Sequence, residues 1–210
     1  QSFGSGAEFA VSSKEAEVDL ALAGRNYDRV MELVQGEEVK LRPEHIEAIK
    51  SSEYGRKKEL LHLVAKRYVK SNKFDKAIDI FVELKDNKMA LKAMIKGKKI
   101  AQIIQFVNFA RQDDLYEMAA NFLQTTKLTY DDATFKCICS FYSKSKCFTR
   151  LVDFLLAFSV SEFESSNYEN CFELLDRAQK LMPKVDATSQ MHYTARIRTD
   201  NELLEALMNA

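Results

Sequence analysis

Four cysteines are the first residues whose spacing raises a chemical question. Cys137, Cys139 and Cys147 lie close together, and Cys171 follows further along the chain. Structural zinc sites use cysteine pairs separated by two to four residues, whereas Cys137 and Cys139 are separated by one residue on a predicted helix, where their side chains point about 200° apart. The pattern favours buried free thiols over a metal site, and we expect no cofactor.

The residue patterns of common enzymes do not occur in the sequence. The histidines His45, His62 and His192 form no H-E-x-x-H metal motif, and the chain has neither a G-x-S-x-G nucleophile motif nor a glycine-rich phosphate loop. Three acidic pairs fall at predicted helix boundaries, where capping explains them. They are Glu37-Glu38, Asp113-Asp114 and Asp131-Asp132. We therefore predict a protein without enzymatic activity.

Lysines recur every three or four residues after residue 84, which places them along one side of a helix. The predicted basic face consists of Lys85, Lys88, Lys92, Lys96 and Lys99. A plain solvated surface and a dock for an acidic protein segment fit this face best, and an anionic lipid surface is a further alternative. Nucleic acid is disfavoured because the chain has no net charge.

The composition indicates the fold that positions these residues. The 210 residues include only 6 glycines and 2 prolines, and 46% of the residues are hydrophobic. Because sandwiches and barrels need glycine and proline at their turns, and disordered chains are poor in hydrophobic residues, an all-α fold is predicted. The longest uncharged run, 100–110, is shorter than the ~20 residues of a membrane span, so we expect no transmembrane segment.

The zero net charge is the sum of three unequal blocks. The net charge is −5 over residues 1–55, +9 over residues 56–99 and −4 over residues 100–210. Residues 1–9 are rich in glycine and serine, and we interpret them as a tag or linker. We predict that residues 10–210 form a single helical repeat domain and that this domain is a fragment of a larger protein. We also expect no signal peptide in the sequence.

A repeated pattern follows four aromatic residues. Tyr27, Phe74, Tyr116 and Tyr168 are each followed by apolar or small residues three, four and seven positions later, and these share one helix face. Recurrence at 42 to 52 residues is typical of helical repeat arrays. The residues predicted to pack between the helices are Tyr27, Tyr68, Phe74, Ala77, Phe81, Tyr116, Ala119, Leu123, Tyr168 and Phe172.

Residues 61–81 show the clearest single repeat, and they resemble the tetratricopeptide repeat. Small residues at Ala65 and Ala77 allow two helices to cross closely, and aromatic residues at Tyr68 and Phe81 fill the space between repeats. The predicted fold class is therefore an all-α, right-handed α-solenoid of degenerate tetratricopeptide-like helix-turn-helix repeats.

Glycine, proline and asparagine give the predicted helix boundaries. Gly24, Gly36 and Gly97 are interpreted as helix C-terminal stops, and 98–126 is predicted to be buried on several sides because it is apolar on more than one face. The predicted helices span 13–23, 26–35, 43–51, 56–71, 74–85, 87–96, 98–111, 114–126, 130–143, 147–163, 167–182 and 186–208.

The segment 94–124 carries a more specific similarity. It resembles a stretch in the C-terminal tetratricopeptide-like region of the intraflagellar transport protein 140 family. The matching residues are Ile95 to Lys98, Gln105, Phe106, Asn108 to Gln112 and Leu115 to Gln124. Residues 74–85 and 141–144 are also similar, whereas Val107 departs from the family pattern and the chain diverges after about residue 150.

The resemblance implies a non-catalytic interaction scaffold in the ciliary intraflagellar transport complex A. That role supports retrograde transport and the import of membrane cargo into the cilium. The implied partners are other complex A subunits and adaptors for membrane cargo, and the implied locations are the cytoplasm, the cilium or flagellum and the basal body. The alternative is a generic tetratricopeptide-type adaptor that binds peptides or an anionic membrane through Lys85–Lys99.

Overall fold

The computed structural model describes residues 6–36, 39–126 and 132–209, with side chains from Lys14 onward. This part of the chain contains twelve α-helices, a short 3₁₀ turn at Met182–Lys184 and no strand. The helices are α1 Gly6–Ala23, α2 Tyr27–Gln35, α3 Pro43–Ser51, α4 Lys57–Lys70, α5 Phe74–Glu83, α6 Asn87–Lys96, α7 Ile100–Ala110, α8 Asp113–Leu123, α9 Asp132–Lys144, α10 Phe148–Glu164, α11 Tyr168–Leu181 and α12 Ala187–Met208.

The observed helices follow the predicted boundaries closely. Only α1 differs strongly at an end, because it begins at Gly6 and so includes residues 6–9 of the predicted tag or linker. Residues 1–5, the pair Glu37-Glu38 and Asp131 lie outside the described residues. Asp113 and Asp114 occupy the first turn of α8, as the capping interpretation requires.

The helices form two compact units, which we describe separately. In the first unit, residues 1–99, α1 packs on α2 and α3, both of which pack on α4, and α5 packs between α4 and α6. In the second unit, residues 100–210, each helix from α7 to α12 packs on the next helix along the chain. Both units are therefore built from successive helix pairs.

Each unit has a core made from one face of every helix. In the first unit the fully buried large side chains include Leu60, Phe81 and Leu91. In the second unit the corresponding side chains include Ile138 and Tyr142. Because apolar residues at helical spacing bury one face only, the opposite face of each helix is available for polar side chains.

Six of the described turns between helices, those after α1, α4, α5, α6, α9 and α10, share one closing geometry. In the turn after α5, the Asp86 N–H donates to the Phe81 carbonyl at 2.9 Å while Lys85 adopts φ 58°. The turn after α9 repeats this arrangement, since the Cys147 N–H donates to the Tyr142 carbonyl at 3.0 Å. Such bonds satisfy helix carbonyls that would otherwise lack a donor. Among the described residues, the non-glycine residues with positive φ are Arg25, Asn72, Lys85, Lys98, Arg111, Lys146 and Ser166.

Gly24, Gly36 and Gly97 follow the ends of α1, α2 and α6, as predicted, but none of them adopts a left-handed conformation. No glycine in the described ranges has a positive φ, and the left-handed position after α6 belongs to Lys98 rather than Gly97. Gly97 is the C-cap, with φ −77°, and a Cβ atom there would lie 3.2 Å from the Phe74 ring. Gly97 is therefore suited to its position by the close approach of α5 and not by backbone conformation.

The segment containing α7 is less buried than its composition predicted. Only Ile103 and Val107 of α7 are buried, and Phe109 is 88% exposed. The prediction that this helix is buried on several sides was wrong. Hydrophobic composition all round a helix indicates burial only when neighbours are available on every side, and α7 packs on α8 through a single face.

Candidate interaction surfaces

The predicted lysines lie on the outward side of α6. Lys88, Lys92 and Lys96 are exposed on this helix, while its opposite side buries Ala90, Leu91, Ala93 and Met94. Lys85 is also exposed and precedes the helix in the left-handed turn. We refer to Lys85, Lys88, Lys92 and Lys96 as the lysine face. Because the buried side holds α6 in the core, the positions of the lysines on this helix are fixed by core packing.

Lys99, the fifth predicted lysine, has a different environment. It follows α6 beyond Gly97, and its ammonium is 2.8 Å from an Asp75 carboxylate oxygen. Its charge is therefore partly neutralised within the first unit. Lys99 stabilises the junction with α5 rather than extending the lysine face.

Two carboxylates near α6 have partners on other helices. Glu83 lies 2.6 Å from the ammonium of Lys50, and Asp86 lies 3.0 Å from the His62 ring. Lys85, Lys92 and Lys96 form no ion pair with any described residue. Lys85, Lys92 and Lys96 therefore keep a positive field that the surrounding helices do not cancel.

The residues predicted to pack between helices are found at different depths. Ala77, Phe81, Ala119 and Leu123 are fully buried, and Tyr68 and Tyr116 are nearly so. Tyr27, Phe74 and Tyr168 are half-buried at the starts of α2, α5 and α11. Small residues thus lie where helices approach closely, and aromatic residues lie around them.

Ring contacts connect these positions with neighbouring helices. Tyr116 contacts Phe141 with ring centroids 5.4 Å apart, and the ring centroids of Phe81 and His62 lie 5.3 Å apart in a T-shaped arrangement. The Lys144 ammonium lies 4.9 Å from the Tyr116 ring centroid, a geometry that favours cation–π attraction. Aromatic packing therefore joins helices within each unit.

Phe172 is placed differently from the prediction. Its side chain is 44% exposed, whereas the neighbouring Cys171, Leu174 and Leu175 are buried. The buried face of α11 thus includes the residues at positions three, six and seven after Tyr168, and position four points outward. An aromatic residue at the edge of an apolar face does not by itself determine which side of the edge it occupies.

The four cysteines are free thiols in the structure. Cys139 and Cys171 are buried, and Cys137 and Cys147 are half-buried. Burial raises the pKa of the Cys139 thiol to about 11, and burial also raises the pKa of Cys171. Because the thiolate is the metal-binding and nucleophilic form, these environments favour packing over either chemistry. Within the described ranges, no three His, Cys, Asp or Glu side chains are grouped as metal ligands would be.

The histidines have local structural partners. His45 is buried, its Nδ1 accepts from the Arg42 backbone N–H at 3.3 Å, and its Nε2 lies 2.8 Å from the Asp19 carboxylate. This pairing holds α1 against α3 and keeps the pKa of Asp19 below its usual value, chiefly through the hydrogen bond from His45. His192 is exposed on α12.

A groove among α9, α10 and α11 was not predicted from the sequence. It has a volume of about 420 Å³. Its lining includes Asp132, Phe135, Phe158, Glu162, Glu173, Leu174 and Arg177, and we call it the acidic groove. No motif spacing indicates it, because its residues come from three separate helices.

Among the helices described, none is long and apolar enough to span a membrane.

A comparison with protein families assigns the helical repeats to a family. Residues 3–141, about two thirds of the chain, match the family described as the TPR domain of intraflagellar transport proteins 140 and 172. The match covers α1 to α8 and most of α9. Together with twelve helices and no strand in the described part, it confirms the predicted all-α solenoid class and the resemblance seen in 94–124. The chain therefore belongs to the TPR domain family of intraflagellar transport proteins 140 and 172.

Proposed function

We propose that this chain is a non-catalytic interaction scaffold of the ciliary intraflagellar transport complex A. In that role it supports retrograde transport and the import of membrane cargo into the cilium. The family match over residues 3–141 is the observation on which this proposal depends. The family is named after intraflagellar transport proteins and after a repeat type whose general use is protein binding.

The structure supports a scaffold through its exposed surfaces. A helix pair in a repeat array buries its apolar face against neighbouring helices and leaves the outer residues free for partners. The lysine face and the acidic groove are two such surfaces with opposite charge. We propose other complex A subunits and adaptors for membrane cargo as the partners. The proposed locations are the cytoplasm, the cilium or flagellum and the basal body.

Recovery of partners from ciliated cells tests this proposal. The 210-residue chain with an affinity tag is expressed in these cells beside a full-length member of the matched family, and bound proteins are identified by mass spectrometry. We expect the chain to recover complex A subunits. Recovery of those subunits by the full-length family member but not by the chain would overturn the proposed scaffold role of the chain.

The lysine face favours a second candidate function, which is an adaptor that binds an acidic peptide or an anionic membrane. Lys85, Lys92 and Lys96 are exposed and without ion pairs among the described residues. Clustered basic residues gain about 1 kcal/mol each near an anionic lipid surface. An adaptor of this kind is compatible with a scaffold, but it does not require complex A.

Vesicle flotation separates this candidate from plain solvation. The double variant K92E/K96E is compared with K58E/K66E, which makes the same charge change at exposed lysines of α4 in the same unit. If the lysine face binds lipid, K92E/K96E abolishes flotation with phosphatidylserine vesicles and K58E/K66E retains most of it. Equal losses, or no flotation of the unmodified chain, would dismiss membrane binding through the lysine face.

A further inference from the structure

The acidic groove lies within the second unit and is formed by three consecutive helices. Asp132 and Phe135 come from α9, Phe158 and Glu162 from α10, and Glu173 and Arg177 from α11. A volume of about 420 Å³ falls in the range of small-ligand sites, roughly 300–1,000 Å³. The groove is therefore large enough to receive side chains of a partner.

The floor of the groove is aromatic. The ring centroid of Phe135 lies 5.1 Å from that of Phe158 and 5.6 Å from that of Phe154. Such packed rings present faces with negative electrostatic potential, which attract cations. Leu174 is buried beside them, so the apolar stem of a long side chain also finds apolar contacts here.

One cation of the protein already uses this floor. The guanidinium carbon of Arg177 lies 5.1 Å from the Phe135 ring centroid. Guanidinium groups stack on aromatic faces more readily than ammonium groups do. The contact between Arg177 and Phe135 is therefore an example of how an arginine binds to these rings.

Carboxylates surround the aromatic floor, and they outnumber the cations that face them. Glu162 accepts a hydrogen bond of 2.6 Å from the neutral Asn167 side chain, and Glu173 is exposed without an ion pair among the described residues. Asp132 pairs with Lys136. Among the described lining residues, Arg177 is the cation, and it lines the groove together with Glu162 and Glu173.

The position of Glu162 adds a second electrostatic argument. It lies in the last turn of α10, which ends at Glu164 and contains no basic residue in that turn. The helix dipole places partial negative charge at this end and disfavours a carboxylate there. A cation bound near Glu162 would offset its repulsion by the helix dipole and its repulsion by the other groove carboxylates.

We propose that the acidic groove binds an arginine-bearing segment of a partner protein. The arginine stem lies on Phe158 and Leu174, and its guanidinium is held by the Glu162 and Glu173 carboxylates. Planar guanidinium groups form two hydrogen bonds with carboxylates as well as stacking on rings, so arginine satisfies both features of the groove. The proposal concerns the second unit alone and does not depend on membership of complex A.

The test uses the 210-residue chain and a fluorescein-labelled peptide of about eight residues that alternates arginine with serine. Binding is measured by fluorescence anisotropy at low salt, where charge interactions are least screened. A matched peptide with glutamate in place of arginine is the negative control. We expect saturable binding of the arginine peptide only. Equal binding of both peptides, or of neither, would overturn the proposal.

Charge-matched variants locate the site. E162Q/E173Q removes two groove carboxylates, and E202Q/E205Q removes two exposed carboxylates on α12. We expect the dissociation constant to rise roughly fivefold to tenfold for the groove variant and to stay unchanged for the α12 variant. Similar changes in both would show nonspecific charge attraction and refute the groove. E173Q alone, at an exposed position, provides the same comparison if the double variant folds poorly.

Arg177 gives a test with the opposite sign. R177Q removes the cation that occupies the Phe135 face, so the arginine peptide is expected to bind more tightly. F158A removes part of the floor and is expected to weaken binding. If R177Q weakens binding, or F158A leaves it unchanged, the partner arginine does not occupy the groove in the proposed way.

Discussion

The two units expose different chemistry on the same kind of helical framework. The first unit presents the lysine face on α6, whereas the second surrounds an aromatic floor with the carboxylates of the acidic groove. Both units contain turns, such as those after α5 and α9, that close with the same backbone hydrogen bond after a left-handed residue. The difference therefore comes from outward side chains, which the packing of the core does not constrain.

This contrast also separates what determines the fold from what determines a partner. Substituting buried residues such as Phe81 changes the stability of a unit. Substituting Lys92 or Glu173 changes its surface charge and leaves the core intact. The experiments below therefore compare matched positions in the two units, in order of decreasing effect.

The largest expected effects come from truncating the core of each unit. Phe81 is 0% exposed and Phe141 is 1% exposed, so F81A and F141A should each lower the free energy of unfolding by about 3–5 kcal/mol. If residues 10–210 form one domain, as predicted, urea unfolding followed by far-UV circular dichroism shows one transition that either variant shifts.

The exposed Phe109 provides the control for those two variants. F109A should change the free energy of unfolding by less than about 0.5 kcal/mol, since that side chain is 88% exposed. Two separate transitions, each shifted by only one of the core variants, would show that the units are independent domains and would contradict the single-domain prediction.

A smaller effect is expected at the glycine that distinguishes the units. The sequence has no glycine after Gly97, so a glycine close approach exists only in the first unit. G97A should lower the free energy of unfolding by about 1–3 kcal/mol, because the added Cβ would lie 3.2 Å from the Phe74 ring. Thermal unfolding measures this change.

Gly55 is the matched control, because a Cβ atom there meets nothing within 4 Å. G55A should leave the free energy of unfolding unchanged or raise it slightly, because alanine reduces the conformational entropy of the unfolded chain. Adding F74L to G97A should recover part of the loss, since the two residues share one contact. A neutral G97A would remove the packing explanation for this glycine.

How much the sequence could predict depends on whether a signal is local. The bounds of α3 and α6 were predicted at Pro43–Ser51 and Asn87–Lys96 because Pro43 and the apolar spacing are signals within the helix itself. The exposed side of α7 was not predicted, since burial depends on which neighbours pack against a helix, and composition does not report that.

The acidic groove was missed for a related reason. Its residues are far apart in the sequence, and none belongs to a spaced motif. One local signal was available, because Glu162 is a carboxylate in the last turn of a helix, where the dipole disfavours it. The left-handed lysines were also missed, because glycine and asparagine are the residues usually expected there.

Those left-handed residues give a smaller prediction, which compares one turn in each unit. Lys85 and Lys146 have φ 58° and 60°. K85G and K146G should each raise the free energy of unfolding by about 0.5–1 kcal/mol, because glycine adopts this conformation without the steric penalty of a side chain, although its unfolded chain is more flexible. Urea unfolding measures both variants.

Alanine at the same sites is the control for backbone conformation. K85A and K146A remove the ammonium but keep the Cβ atom, so they should not raise stability and should slightly lower it through loss of a cation near the helix C-terminus. A gain with alanine equal to that with glycine would mean that lysine charge, and not backbone strain, determines the effect.

The smallest effect concerns two aspartates whose pKa values are lowered by different partners. In the first unit, the His45 hydrogen bond is the main cause at Asp19, and Arg42 adds charge attraction. In the second unit, Asp186 is the N-cap of α12. The Ser189 backbone N–H donates to its carboxylate at 2.9 Å, and this hydrogen bond is the main cause of the lowered pKa of Asp186. Both folded pKa values lie below the ordinary value of 3.8. Each carboxylate therefore stabilises its unit above that pH and loses this contribution as pH falls through its folded pKa.

High salt should change the pKa values of Asp19 and Asp186 by different amounts. High salt screens the attraction between Asp19 and the exposed Arg42, whereas the bond from a backbone N–H to Asp186 involves no net charge on the donor. NMR titration of the side-chain carboxyl carbons should therefore show the pKa of Asp19 rising toward 3.8 at about 1 M NaCl while that of Asp186 changes less. D186N, which keeps a capping side chain but does not titrate, should remove the acid dependence assigned to Asp186 and leave that of Asp19 in place. Equal salt shifts would mean that the capping bond does not determine the pKa of Asp186, and that both units hold their aspartates by charge alone.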